Sequence, residues 1–242
     1  MENQHIDTAI VLAGGLGTRL KSVVSDKAKP MADINGKPFI SYLIELLKVN
    51  SIKKIIFCVG YLHDTVLKYF NEIDIEGIDI LFSIEDEPLG TGGAIKLAIN
   101  NFKIKSDVLV LNGDSIFLFN IKDLIKNHFN LKSKLTLSLK QMQNPYRYGT
   151  IELSNKNEII KFNEKQDIKS GLINCGVYCL NPVIFDKVNT NIFSFEKDIM
   201  ETRVDSDEFY GIEYNGYFID IGLPESYQVA QDKLQTELSK YL

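Results

Sequence analysis

The sequence predicts an α/β fold in three layers, with a mixed, mostly parallel central sheet covered by helices on both faces. Three observations support it. Across the first half, short apolar runs alternate with runs of helical spacing, the pattern of strand–helix–strand units. After about residue 130 the texture changes to strands with few helices between them. The 242 residues are 45% apolar and 24% charged, enough for a sizeable core.

The elements follow in order. Residues 8–13 (TAIVLA) form an apolar strand that runs straight into glycines. Over 37–49, Phe39, Tyr42, Leu43, Leu46 and Leu47 recur at helical spacing. A buried strand is expected at 54–59, a helix at 64–73, a strand at 78–84, a helix at 92–102 and a strand at 108–111. Sheets of this kind collect ligands at the carboxyl ends of their strands, and the loops beginning at Ala13, Glu85 and Asn112 all hold that position. Beyond residue 130, strands are expected at 134–140, 149–153, 159–162, 172–180 and 208–214, with one helix at 195–204. The last helix starts near Pro224, where proline suits the first turn, and lines up Tyr227, Ala230, Leu234, Leu238 and Tyr241 on one face. That face is open to a core role or to a homo-oligomer interface. No repeat or linker separates two domains, so one domain over 1–242 is expected, with an N-terminal half to about 130 and a C-terminal half beyond it.

The formal charge of −5 disfavours nucleic acid and anionic membranes as main partners, because an acidic chain is repelled by both. No run is long enough to span a membrane, and the acidic N-terminus lacks an apolar signal core, so a cytoplasmic protein is expected. Cys58, Cys175 and Cys179 form neither an even disulfide set nor a zinc pattern, and buried reduced thiols are the reading they support. His5, His63 and His128 lack metal-ligand spacing. Only three arginines are present, Arg19, Arg147 and Arg203, and the first stands in the most glycine-rich loop.

That loop, Leu12-Ala-Gly-Gly-Leu-Gly-Thr-Arg-Leu20, follows the first strand directly. Its glycines let peptide N–H groups approach an anion closely. The spacing is neither GxxxxGK[ST] nor GxGxxG, which disfavours a dinucleotide-binding oxidoreductase. Arg19 supplies a fixed cation for phosphate oxygens, and Lys29-Pro30 a second one held stiffly by proline. Further on, Asn112-Gly113-Asp114 ends an apolar strand. Asp114 there is a hard oxygen ligand suited to Mg²⁺, though the same four residues to Ser115 are also good turn chemistry. Asp220 lies inside an apolar strand, where a lone charge would be costly without a partner or metal.

The strand followed by LAGGxGTRL and then a KP pair resembles the signature of the sugar-phosphate nucleotidylyltransferases, and the resemblance extends in order over essentially the whole chain. It implies a Rossmann-like nucleotidyltransferase fold and an enzyme that joins a nucleoside monophosphate, taken from an NTP, to a sugar 1-phosphate. It implies catalytic cations at Arg19 and Lys29, and Mg²⁺ held by Asp114 and Asp220. A nucleotide site is implied at Leu12, Ala13, Gly14, Gly15, Gly17, Thr18, Glu85, Gly90, Thr91 and Asn112. A sugar-phosphate site is implied at Gly149, Glu164, Lys165 and Asn174. Phe218 stands where many members carry tryptophan, and Ala28 where many carry proline. Glu85 occupies a base-reading position. An ionised carboxylate only accepts hydrogen bonds, which favours GTP because guanine offers N1–H and NH₂ donors; a solvated acidic loop is the competing reading of Glu85-Asp86-Glu87. Within the family, the stretches Thr18–Val24, Lys29–Met31 and Phe218–Glu225 are most similar to members acting on a heptose 1-phosphate. Mannose or glucose 1-phosphate, or a non-catalytic nucleotide-sugar sensor, stay open as alternatives.

Overall fold

The computed structural model describes residues 5–15, 27–60, 62–163, 168–204 and 208–242. Its first half is built as the alternation predicts. β1 (Thr8–Leu12), β4 (Lys54–Val59), β5 (Asp79–Ile84) and β6 (Val108–Asn112) are parallel, in the order β6-β1-β4-β5. A small hairpin, β2 (Asp33–Ile34) with β3 (Lys37–Pro38), precedes α1 (Phe39–Val49), and α2 (His63–Asn71) and α3 (Gly90–Asn101) connect the later strands.

Alternation along the strands explains the three layers. Ala9, Val11, Ile55, Phe57, Leu109 and Leu111 face one core, which also takes up residues of α1, α2, α4 (Ile121–Leu131) and α6 (Pro224–Leu238). Ile10, Ile56, Cys58, Val108 and Val110 point the other way into a second core closed by α3 and the 196–203 helix. Successive strand residues face opposite sides, so a strand buried on both faces reads as a continuous apolar run.

The second half adds β8 (Leu135–Gln143), β9 (Thr150–Leu153), β10 (Ile159–Asn163), β11 (Ser170–Leu180) and β12 (Phe209–Glu213). β11 joins the halves by pairing antiparallel to β6, and it also pairs with β8 and β9; β12 runs parallel to β8. The result is a nine-stranded mixed sheet among the described residues. The three cysteines are buried and free. Among the described residues no helix is long and apolar enough to cross a membrane.

Several elements differ from expectation. The helix expected at 195–204 begins as a π-helix, Glu196–Met200, in which Glu201 N–H bonds Glu196 O five residues back, and only then becomes α5 (Glu201–Arg203). The helix α4 has no counterpart in the sequence reading, although Asn120 caps it by accepting from Asp123 N at 3.3 Å and Ile121, Leu124, Ile125 and His128 are buried along it. A second short sheet pairs β7 (Ser115–Leu118) with β13 (Tyr217–Asp220) antiparallel, in register Asp220 to Ser115. This pairing draws the two ends of the chain's chemistry together.

Candidate active site

The carboxyl ends of β1, β4, β5 and β6 open into a cavity of about 670 Å³. The ladder sets its walls: Ala13 N bonds Cys58 O at 2.8 Å, Glu85 N bonds Val59 O at 2.9 Å, and Gly113 N bonds Leu12 O at 2.9 Å. Leu12, Ala13, Gly14, Gly15, Glu85, Gly90, Thr91, Asn112, Lys29 and Asp114 all line it. Of the other expected site residues, Gly17, Thr18, Arg19, Glu164 and Lys165 lie outside the described residues.

At one part of the wall Glu85 accepts Leu89 N at 3.0 Å through Oε2. Its Oε1 lies 3.1 Å from where a side chain on Gly14 would begin. The carboxyl is half-buried; burial raises its pKa, and the Leu89 hydrogen bond works against that rise. Gly90 opens α3 with φ +74, and a Cβ there would stand 2.5 Å from Phe193 O, so only glycine fits without strain. The same carbonyl accepts Gly92 N at 3.1 Å and Gly93 N at 3.3 Å, satisfying amides at the helix start. Thr91 Oγ1 donates to Glu196 Oε2 at 2.6 Å and accepts Phe195 N at 2.9 Å. Glu196 and His63 also line the cavity, and the sequence reading assigned neither. Glu196 sits in the π-helical turn and carries no motif; His63 Nδ1 bonds Gly60 O at 2.9 Å.

At another part stands a charge cluster. Lys29 opens a 3₁₀ turn, Lys29–Met31, that Pro30 stiffens, and its Nζ is 2.7 Å from Asp114 Oδ2. Ile221 N bonds Asp114 O at 2.9 Å, carrying the β13 end onto the β6–β7 turn. Asp220 comes in with it. Its Oδ1 accepts Gly222 N at 2.9 Å, and Arg147 Nη2 lies 3.1 Å from Oδ1 and 3.2 Å from Oδ2. The Tyr148 hydroxyl donates to Oδ2, and burial, followed by that bond to the carboxylate, pushes its pKa upward. A Cβ on Gly222 would stand 2.8 Å from Asp220 Oδ1 and 3.9 Å from Lys29 Nζ, so glycine keeps open the space between the carboxylate and the lysine. The grip of Arg147 and Tyr148 on Asp220 spans more than seventy positions of chain, and no local pattern could reveal it. The one available signal was the scarcity of arginine.

On the far side, Thr150 pairs with Ile173, which brings Gly149 level with Asn174. Asn174 turns its amide onto its own strand: Oδ1 accepts Gly176 N at 2.9 Å and Nδ2 donates to Tyr178 OH at 2.9 Å. Neither residue lines the cavity. Asn112 packs against Gly176, where a Cβ would come within 2.6 Å of its Nδ2. Among the described residues no group of three or more His, Cys, Asp or Glu is arranged to hold a metal ion; Asp114 and Asp220 are a pair of carboxylates.

The sequence matches the profile of the nucleotidyl transferase family over residues 8–237. It is 43% identical to D-glycero-alpha-D-manno-heptose 1-phosphate guanylyltransferase of Aneurinibacillus thermoaerophilus, covering 94% of this chain and 98% of that one. It is 44% identical to the protein of the same name from Campylobacter jejuni, covering 90% and 96%. The solved structure of HddC from Yersinia pseudotuberculosis complexed with GMP-PN superposes with a TM-score of 0.84 at 36% identity, over 95% of this chain and 100% of that one. A mixed sheet whose four parallel strands open into the cavity at their carboxyl ends, joined to a match over nearly the whole length, shows that the chain belongs to the nucleotidyl transferase family.

Proposed function

We propose that the chain transfers GMP from GTP to D-glycero-α-D-manno-heptose 1-phosphate, giving a GDP-heptose and pyrophosphate, with Mg²⁺ as cofactor. The observation that carries this reading is the lining of a single cavity, in which a half-buried acceptor carboxylate, Glu85, shares the wall with the Lys29–Asp114 pair. The carboxylate complements the two donors on the guanine edge, and the lysine complements a triphosphate. The heptose is supported by the names of the two relatives at 43% and 44% identity.

The donor set at Asp114 and Asp220 suits Mg²⁺, which takes one or two carboxylates and fills its remaining positions with phosphate and water oxygens. Bound there, Mg²⁺ would offset charge on the nucleotide's phosphates. The loop from Leu12 to Gly15, with Glu85, Gly90, Thr91 and Asn112, would hold base and ribose, while Gly17, Thr18 and Arg19 would meet the triphosphate. Lys29 would stabilise charge developing on the α-phosphate. A sugar-phosphate oxygen attacks the α-phosphorus in line, and the bond to the bridging oxygen breaks with its electron pair leaving on pyrophosphate. The phosphate monoester is already anionic at neutral pH, so no general base is needed and positioning dominates. Lys165, Glu164, Gly149 and Asn174 would orient the sugar phosphate. The buried free thiols suit a reducing cytoplasm.

Pyrophosphate release measured over the four NTPs crossed with heptose, mannose and glucose 1-phosphates tests the reading. Release is expected with GTP and the heptose; a preference for another pair redirects the specificity, and no release with any pair ends the enzyme reading. Asp114→Ala is expected to abolish turnover while keeping the circular dichroism of the parent. A near-normal rate in Mg²⁺ would remove Asp114 from the metal site.

A further inference from the structure

Each carboxylate of the charge cluster already carries a cation. Lys29 Nζ pairs with Asp114 at 2.7 Å, and Arg147 Nη2 bridges both oxygens of Asp220 at 3.1 and 3.2 Å. Asp220 also accepts from Tyr148 OH and Gly222 N, so each of its oxygens has two partners. A carboxylate has about four acceptor sites in all. Asp220 is therefore filled, and it is missing from the cavity wall that Asp114 helps to form. Its side chain is only 16% exposed and that of Arg147 27%, so either charge would be costly to leave without the other. A divalent cation cannot reach Asp220 while the guanidinium stays, because the lone pairs are occupied and the charges repel.

Arg147 is suited to leaving. Only Nη2 is engaged, and its other guanidinium nitrogens make no hydrogen bond to the described residues. The guanidinium carbon lies 5.5 Å from the centre of the Tyr148 ring, an attraction that does not use its N–H donors. Those donors match phosphate oxygens.

We propose that Arg147 is a placeholder cation: it pairs with Asp220 until a divalent cation binds, then yields the carboxylate and takes the phosphate of the sugar 1-phosphate. The proposal rests on the reading of Asp114 and Asp220 as metal ligands and of a sugar 1-phosphate as acceptor. It couples metal occupancy to capture of the second substrate, since the same guanidinium cannot serve both anions.

The test is a Mn²⁺ titration of the nucleotide-free protein, followed by the electron paramagnetic resonance of free Mn²⁺. Arg147→Gln is expected to bind Mn²⁺ roughly five- to tenfold tighter than the parent, and the gain is expected to vanish in an Asp220→Asn background. In turnover at saturating GTP and Mg²⁺, the same variant should raise KM for the sugar 1-phosphate by about tenfold or more while moving KM for GTP little. Equal or weaker Mn²⁺ binding in Arg147→Gln, or an equal gain with Asp220→Asn present, overturns the placeholder. A tighter metal with an unchanged sugar-phosphate KM overturns the hand-over. Should Arg147→Gln fail to fold, Tyr148→Phe decides: it removes a donor and no charge, and a tightening of about twofold is expected, against none if Asp220 is not being held. Pyrophosphate release by the parent separates the two ideas. Release without the Mn²⁺ effect sinks the placeholder alone, and no release sinks the functional reading.

Discussion

Glu85 follows β5 directly and is half-buried, with one oxygen committed to Leu89 N and the other beside Gly14. Burial raises its pKa, so the folded protein holds this proton more tightly than the unfolded chain does. Its contribution to stability is then full below the ordinary glutamate pKa, near about 4.3, and is lost as pH rises through the raised value. Glu85→Gln removes that titration. Melting temperatures taken from acid to neutral pH should show the variant gaining on the parent as pH rises. The same change turns one acceptor oxygen into a donor facing the guanine donors, and a loss of about 1.5–3 kcal/mol, roughly 10- to 150-fold in kcat/KM for GTP, is expected. Stability and specificity should therefore move in opposite directions. A GTP preference untouched by Glu85→Gln would assign base reading to another residue.

α3 shows how an element is built for its site. Its first two turns are fastened by Phe193 O to Gly92 N and Gly93 N, by Thr91 to Glu196, and by Lys96 Nζ to Val188 O at 2.7 Å and Thr190 O at 3.0 Å. The 188–196 segment thus fixes the helix start that carries Gly90 and Thr91 into the cavity wall. Gly90→Ala forces a side chain to φ +74 against the Phe193 carbonyl, and a cost of about 1–3 kcal/mol in urea unfolding together with a raised KM for the nucleotide is expected. Asn120→Ala is the contrast. It removes the cap of α4, outside the cavity wall, and should cost about 1 kcal/mol of stability with steady-state kinetics unchanged. A kinetic defect in that variant would show that α4 supports the site.

The halves of the molecule share their structure. β11, from the second half, pairs with β6 over Val177 to Leu180, and one core contains both Ala9 and Cys179. β13 pairs with β7 across about a hundred residues and delivers Asp220 beside Asp114. We accordingly propose a single domain. Urea unfolding followed by tyrosine fluorescence, which no tryptophan obscures, should coincide with unfolding followed by far-ultraviolet circular dichroism. Two separated transitions would divide the halves into independent units.

The sequence by itself determined the local matter: apolar runs buried on both faces, the glycine-rich turn at the end of β1, the Lys29-Pro30 turn, and carboxylates at the ends of β5 and β6. These were legible because periodicity and turn chemistry act within a few residues. α4 is equally local, since its Asn120 cap and its apolar spacing fall within a dozen residues. What only the tertiary structure decided is contact across distance. Glu196 reaches Thr91 from 105 residues away, and Arg147 and Tyr148 close on Asp220 from 73 and 72. No periodicity encodes such pairs, because they depend on which strands of the sheet lie side by side. The ion pair at Asp220 is therefore a property of the fold, while the glycine-rich run after β1 is a property of the chain.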